Sequence, residues 1–332
     1  MKPVLAGLAV AVGFMAAGDL AQAEVKPAIV YDLGGKFDKS FNEGVYQGAE
    51  KFKIETGIAY RDFEIQNDAQ REQGFRRFAR DGFSPIVAVG FSQASAVEKV
   101  AAEFPNTQFT IIDMVVDKPN VQSIVFREHE GSFVVGLMAA KASKTGKVGF
   151  VGGMDIPLIR KFACGYVQGV KYANKSADVF QNMTGTTGAA WADPVKGGEL
   201  ARSQIERGAD VVYHAAGGTG LGVLRAAADA GKLGIGVDSN QNALFPGKVL
   251  TSMLKRVDVA AYKSFAEAKA GTWKPGLQVL GLKEEGVAYA LDDNNKSLVT
   301  ADLKAAADQA VADIIAGKIQ VHDYMSDSKC PM

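Results

Sequence analysis

The sequence is poor in the residues that build redox and metal chemistry, with two cysteines and three histidines in 332 residues. Cys164 and Cys330 form no Cys-x-x-Cys, which argues against dithiol catalysis. His129, His214 and His322 are scattered and show no metal-ligand spacing, so no metal site and no cofactor is expected. Net charge is missing too. Lys plus Arg number 37 and Asp plus Glu number 37, which excludes the basic excess of a nucleic-acid or membrane-surface binder. Beyond the N-terminal segment no apolar run approaches the roughly 20 residues of a membrane-spanning helix. There is no Gly-x-Ser-x-Gly elbow, and the neighbouring Asp292 and Asp293 read as a solvated turn. Nothing resembles an assembled active site.

What is present is an ordinary folded composition, 47% apolar and 22% charged, in a chain too long for one core. Two domains are expected. Lys2, the apolar run Pro3 to Gly18 and the small-x-small Ala21-Gln22-Ala23 fit a signal peptide spanning 1–23, cleaved after Ala23. The mature chain is then exported to the periplasm. No cysteine stands near the cleavage point, so no lipid anchor is expected. An oxidising compartment permits a bridge between Cys164 and Cys330; the alternative is one buried and one terminal thiol.

From Pro27 onward short β-branched runs alternate with longer amphipathic ones. Ala28 to Tyr31, Ile58 to Ile65, Ile86 to Val89, Phe109 to Ile112 and Val121 to Phe126 read as strands with helices among them. A helix spans about Gly131 to Ser143. The pattern restarts at Lys147 and runs to the strand Ile235-Gly236-Val237. Such alternation predicts parallel sheets covered by helices, here an α/β protein of two Rossmann-like lobes. From Lys248 the rhythm changes: a strand over Val249 to Met253, a helix over Val257 to Ala270, extended chain over Val279 to Leu291 and a last helix over Thr300 to Ala316. This remainder is too small for a third domain and is expected to complete both lobes. Residues 24–143 plus about 248–287 form the first lobe, and 144–247 plus about 288–332 the second. Ligands of such folds sit at strand carboxyl ends, in a cleft between the lobes.

Several polar and aromatic residues fall just after predicted strands. Asp32-Leu33-Gly34-Gly35 leads into Asp38-Lys39-Ser40-Phe41-Asn42 at the start of a helix. There Ser40 or Asp38 could be a plain helix cap and Phe41 a plain core residue, or the segment could edge a ligand. Thr184 to Pro194 places Trp191 in a glycine-rich loop, a poor place to bury an indole and a good place to present one. Ala216-Gly217-Gly218-Thr219-Gly220-Leu221-Gly222 tempts a dinucleotide reading. The spacing fails, because Val223 stands where the third glycine belongs, and no Walker lysine follows. Asp238 ends another strand, and Lys255 the one after it.

Asp38 to Asn42, Trp191-Ala192-Asp193-Pro194 with Lys196-Gly197, Ala216 to Gly220, Gly236 to Asn240, and Leu250 to Asp258 occur in one order. Together they resemble the basic membrane protein family of ABC-transporter substrate-binding proteins, whose best-understood members are purine-nucleoside receptors. The resemblance covers essentially the whole mature chain. It implies a type I periplasmic binding protein: two lobes joined by three crossovers that close on a ligand and deliver it to an ABC permease, with no chemical step. By motif, Phe41 and Trp191 would sandwich the base, and Asp38 and Asn42 would meet its polar edge. Asp238 would accept from ribose hydroxyls with Lys255 beside it, and Gly218 would offer backbone. Asp113 is a further ribose candidate and Phe91 a weaker one. The implied ligand is a purine nucleoside and the implied protein a monomer. A nucleobase, riboflavin or a sugar is the alternative, and an exported nucleoside hydrolase or a regulator on the same fold the more distant ones. The regulator is disfavoured because the mature N-terminus runs straight into a strand.

Overall fold

The computed structural model describes residues 25–331; the segment read as a signal peptide, and the lipid-anchor question attached to it, lie outside the described residues. The chain opens with β1 (Ala28–Tyr31), α1 (Phe41–Thr56), β2 (Arg61–Glu64), α2 (Gln70–Arg80), β3 (Ile86–Ala88), α3 (Ala94–Glu103), β4 (Phe109–Ile112) and β5 (Val121–Phe126). Helix α4 (Glu128–Ala142) leads to β6 (Lys147–Met154), α5 (Pro157–Ala173), β7 (Asp178–Gly185), α6 (Pro194–Glu206) and β8 (Val211–Ala215). Then come α7 (Gly220–Asp229), β9 (Leu233–Asp238), β10 (Val249–Lys255), α8 (Val257–Ala270), β11 (Gly276–Leu280), β12 (Val287–Tyr289) and α9 (Ala301–Ile315).

Two six-stranded sheets result, ordered β11-β5-β4-β3-β1-β2 and β12-β10-β9-β8-β6-β7. Their central strands are buried on both faces, as the continuous apolar runs of β1 and β8 require. Pairing is parallel throughout except at β12, which runs antiparallel to β10. Both sheets therefore present their strand carboxyl ends to one shared cleft. The third strand from the first-listed edge of each sheet hands over to an aspartate in the left-handed region, Asp113 at φ 74° and Asp238 at φ 63°.

Three placements depart from the sequence reading. Residues 248–287 were expected in the first lobe, but β10 pairs with β9, Met253 opposite Val237, and so belongs to the second sheet. Of that segment only α8, which packs on α1, and β11, which pairs with β5, sit with the first sheet. A strand as buried as β10 reveals its burial in its sequence, not which neighbour it takes. Helix α4, expected within the first lobe, packs on α5 and α9 of the second. Its approach to α5 needs small residues: a Cβ on Gly136 would lie 2.3 Å from the Tyr166 carbonyl oxygen, and one on Gly169 1.9 Å from that of Phe133. The extended run Val279 to Leu291 is broken at 281–286, where the chain crosses from the first sheet to the second.

Cys164 on α5 is bonded to Cys330, with Cα atoms 5.5 Å apart. The C-terminal segment is strapped to α5 further along as well. The Gln168 amide donates to the His322 carbonyl at 3.0 Å, and the His322 N–H donates back to Gln168 Oε1 at 2.8 Å.

Candidate functional site

The cleft between the sheets holds about 600 Å³ of non-atom space, its open mouth included. Asp38, Phe41, Asn42 and Asp113 line it from the first lobe, and Trp191, Asp238 and Lys255 from the second. Gly218 does not. Its neighbour Gly217, at φ 55°, takes the lining place, while a Cβ on Gly218 would point at the Trp191 carbonyl oxygen 3.2 Å away. The tight turn Gly217–Thr219 that opens α7 sets this phase, which a glycine run does not reveal.

Asp38 is the cap of α1. Its Oδ1 accepts the backbone N–H groups of Ser40 (2.8 Å) and Glu43 (3.1 Å), and its Oδ2 that of Asn42 (3.1 Å). A carboxylate at a helix N-terminus also meets the positive end of the dipole. Ser40, standing at the N-cap position, makes no capping bond through its side chain. Asn42 donates to the carbonyls of Asp32 (3.3 Å) and Gly35 (3.0 Å), and its Oδ1 is buried without a partner among the described residues. A buried unpaired carbonyl oxygen is costly, and Asn42 lines the cleft together with Phe41.

Trp191 ends a short turn, Gly188–Trp191, just ahead of Asp193, whose side chain caps α6 by accepting from Lys196 N–H at 2.9 Å. Thr219 Oγ1 pins the turn by donating to the Ala190 carbonyl at 2.7 Å and accepting from Asp193 N–H at 2.7 Å. The indole lies on Gly153, where a Cβ would stand 2.1 Å from Cζ3. Only glycine leaves room for the ring. Phe91 and Phe162 add further aromatic surface to the same cleft.

Lys255 is 2% exposed and lies 2.7 Å from Asp113 and 3.0 Å from Glu128. Asp113 follows β4 of the first sheet and Lys255 ends β10 of the second, so this ion pair joins the lobes. The ammonium also sits 5.1 Å from the centroid of the Phe41 ring. Burial opposes its charge, but Asp113, Glu128 and Asp238 together hold it well above the ordinary lysine range. Burial pushes the carboxyls of Asp38, Asp113 and Asp238 up to about 6; backbone donors restrain the first, and Lys255 the other two. For Glu128 burial acts upward, and Lys255 and Lys161 outweigh it to hold the carboxyl below its usual value.

The lining thus carries four carboxylates, with Asp32 the fourth, against the single ammonium of Lys255. Asp32 is committed to Arg71 at 2.8 Å and to the Ser92 hydroxyl. Such a wall repels phosphate and suits a neutral ligand with hydroxyl or N–H donors and a flat apolar body. Sequence reasoning missed Phe162, which reads as one more apolar position of a helical stripe, and Gly217. It named Asp32 only within the segment that could edge a ligand and gave it no site role of its own. His214 lies outside the lining: its Nε2 faces Gln241 Oε1 at 2.9 Å, and burial pushes it down to about 4. Among the described residues no cluster of His, Cys, Asp or Glu could hold a metal ion, and no helix is long and apolar enough to cross a membrane.

Two parallel-sheet lobes with a cleft of strand-end side chains define the type I periplasmic-binding fold. A solute-binding protein of an ABC transporter system from Aeropyrum pernix K1 shares it with a TM-score of 0.82 and 28% identity, over 90% of this chain and 94% of that one. The family model described as "ABC transporter substrate-binding protein PnrA-like" matches residues 26–324. The chain belongs to this Bmp family. It is 32% identical to a Lactococcus lactis protein named "ABC transporter nucleoside-binding protein BmpA", over 90% of each chain. It is 36% identical to an uncharacterised lipoprotein of Pyrococcus abyssi, over 80% of this chain and 69% of that one. Family membership makes this an extracytoplasmic substrate-binding protein rather than an enzyme, with a small-molecule ligand and a membrane permease as partner.

Proposed function

We propose that the chain is the receptor of an importer for purine nucleosides, closing its lobes on the ligand and releasing it unchanged to the permease. The observation that carries this reading is that aromatic side chains from both lobes, Phe41 and Trp191, line one cleft with strand-end carboxylates grouped around a lysine whose charge they already balance. A purine is flat and rimmed by donors, and stacking contributes about 1–3 kcal/mol per base in nucleic-acid proteins. Vicinal ribose hydroxyls donate well to a carboxylate such as Asp238 or Asp113. The net negative lining favours nucleoside over nucleotide, and the nucleoside-binding name of the Lactococcus relative points the same way.

The proposal includes export as a monomer cleaved after Ala23 and free of a lipid anchor. The Pyrococcus relative's name as a lipoprotein stands against that last point, and mass spectrometry of the protein recovered from its own cells decides it. For the ligand, the mature chain is refolded to strip bound solute and melted with adenosine, guanosine, inosine, cytidine, adenine, riboflavin and ribose. A ligand at a thousandfold excess over its Kd adds about 4 kcal/mol. Stabilisation by purine nucleosides alone supports the proposal. A response to riboflavin, adenine or ribose instead transfers the receptor role to that ligand. Hydrolysis of the nucleoside on long incubation would restore the enzyme reading.

A further inference from the structure

Lys255 is gripped from behind as well as from the cleft. Glu128, the first residue of α4, is 1% exposed, with Oε1 3.0 Å from Lys255 Nζ and Oε2 2.9 Å from Lys161 Nζ. Lys161, on α5, donates to the Phe126 carbonyl at 2.7 Å and stands 3.5 Å from Asp323 in the C-terminal strap. Five groups alternate in sign: Asp113, Lys255, Glu128, Lys161 and Asp323. The chain of charges runs from the cleft through the interior of the second lobe to the strap on its back. Neither Glu128 nor Lys161 lines the cleft.

Packing does not explain them. Two buried ion pairs cost more in desolvation than apolar side chains of the same volume, and breaking one pair strands the other charge. An ammonium has three N–H donors and a flexible stem. Lys255 donates to Asp113 Oδ2 at 2.7 Å and holds Glu128 as an ion-pair partner at 3.0 Å, so carboxylates on two sides restrain its stem.

We infer that Glu128 and Lys161 are positioning residues of the ligand site, fixing the aim of the Lys255 ammonium and the charge balance that a bound ligand meets. The inference rests on the reading of the cleft as the ligand site. These groups share in that balance: Asp38, Asp113 and Asp238 at the cleft wall, Lys255 on β10, Arg127 just ahead of α4, Glu128 and His129 on α4, Lys161 on α5, Tyr213 on β8 and Asp323 on the strap. Burial holds His129 down to about 4, so it is neutral at neutral pH.

The test uses the mature chain as Glu128→Gln and Lys161→Met, read in two ways. Carbon-13 NMR of the side-chain carboxyls follows Asp113 and Asp238 in the ligand-free protein. Glu128→Gln removes a neighbouring negative charge, so both midpoints fall, by about one pH unit for charges this close. Lys161→Met unmasks Glu128, and both midpoints rise. Calorimetry with adenosine then follows affinity against pH: the acid-side fall-off moves down in Glu128→Gln and up in Lys161→Met. At neutral pH, Glu128→Gln also weakens adenosine binding roughly tenfold, because the Lys255 ammonium it held loses its aim and with it one charge-assisted bond. Lower melting temperatures in both variants with unmoved midpoints would mean a purely structural role and overturn the inference. If the unaltered protein ignores adenosine, the proposed ligand falls, and the ligand-free midpoints still decide the positioning role.

Discussion

Ser40 and Asp238 meet across the cleft: the Ser40 hydroxyl donates to Asp238 Oδ2 at 2.5 Å. The same two loops are tied by Ser239 Oγ donating to the Ser40 carbonyl at 2.7 Å and Gln241 Nε2 donating to that of Lys39 at 2.9 Å. Ser40 and Lys39 precede α1 of the first lobe, and the residues that meet them follow or end β9 of the second. These bonds are a latch that forms only with the lobes together.

Ser40→Ala should therefore loosen the closed state without touching either core. Small-angle scattering is expected to give a larger radius of gyration for the ligand-free variant than for the parent, and equal radii once ligand saturates both. Equal ligand-free radii would show that the latch carries no weight.

Asp238→Asn keeps the shape of the side chain and removes its charge. Hydrogen bonds to charged groups contribute about 1.5–3 kcal/mol, so nucleoside affinity should fall about 10- to 100-fold while adenine, which has no ribose, barely responds. Equal losses for the two ligands would take the ribose away from this carboxylate.

Gly153→Ala tests the indole seat from beneath. Its Cβ would enter the ring of Trp191, 2.1 Å from Cζ3, so the ring must leave its place. Ligand affinity should drop as far as in Trp191→Ala, about 1–3 kcal/mol. Tryptophan fluorescence of Gly153→Ala should lose its response to ligand while the circular dichroism of the fold is retained.

The raised carboxyls of Asp38, Asp113 and Asp238 predict a pH dependence with a definite sign. A carboxyl pushed from 3.8 to about 6 by folding contributes stability below its unfolded value, and that contribution is lost as pH rises through about 6. A ligand donating hydroxyls favours the ionised form, so its binding releases protons in this window. Affinity should rise between about pH 5 and 7 and level off above, with a smaller slope in Asp238→Asn. Calorimetry in buffers of different ionisation enthalpy reads the proton release directly.

Cys330→Ser opens a bridge that spans 166 positions of sequence. Disulfides of this kind stabilise by about 2–4 kcal/mol. At roughly 2–4 °C per kcal/mol for larger domains the melting temperature should fall by about 10 °C, read by calorimetry. Reduction of the parent protein should reproduce the loss and leave Cys330→Ser unaffected.

Much of this architecture is written locally. Strand β1 and helix α1 follow from an apolar run and a helical stripe, and Phe41, Trp191 and Asp238 stand out because each departs from what its local element needs. What escaped depends on partners remote in sequence. Nothing in Val249 to Lys255 says that it pairs with β9 rather than with the first sheet. Glu128 opens α4 and Lys161 lies in α5, two closely packed helices that carry other charges on their outer faces, and a charge there reads as a solvated edge until its opposite number appears across the interface. Gly217 and Gly218 were separable only by the turn that phases them, and Asp38 and Ser40 only by which side chain bends back to the helix.

The equal strand orders carry an internal two-fold relation. Register places Asp238 opposite Leu254, and the carboxyl-terminal neighbour of Ile112, Asp113, one step beyond its pairing with Ile124. Asp113 and Asp238 are thus matched halves of a dyad, and Phe126 stands where its counterpart strand carries Lys255. Helices α4 and α8 obey the same relation, each leaving its own sheet to pack on the other lobe. At these matched strand ends the walls differ by one charge, the Lys255 ammonium, so the two aspartates face unequal neighbours across the cleft.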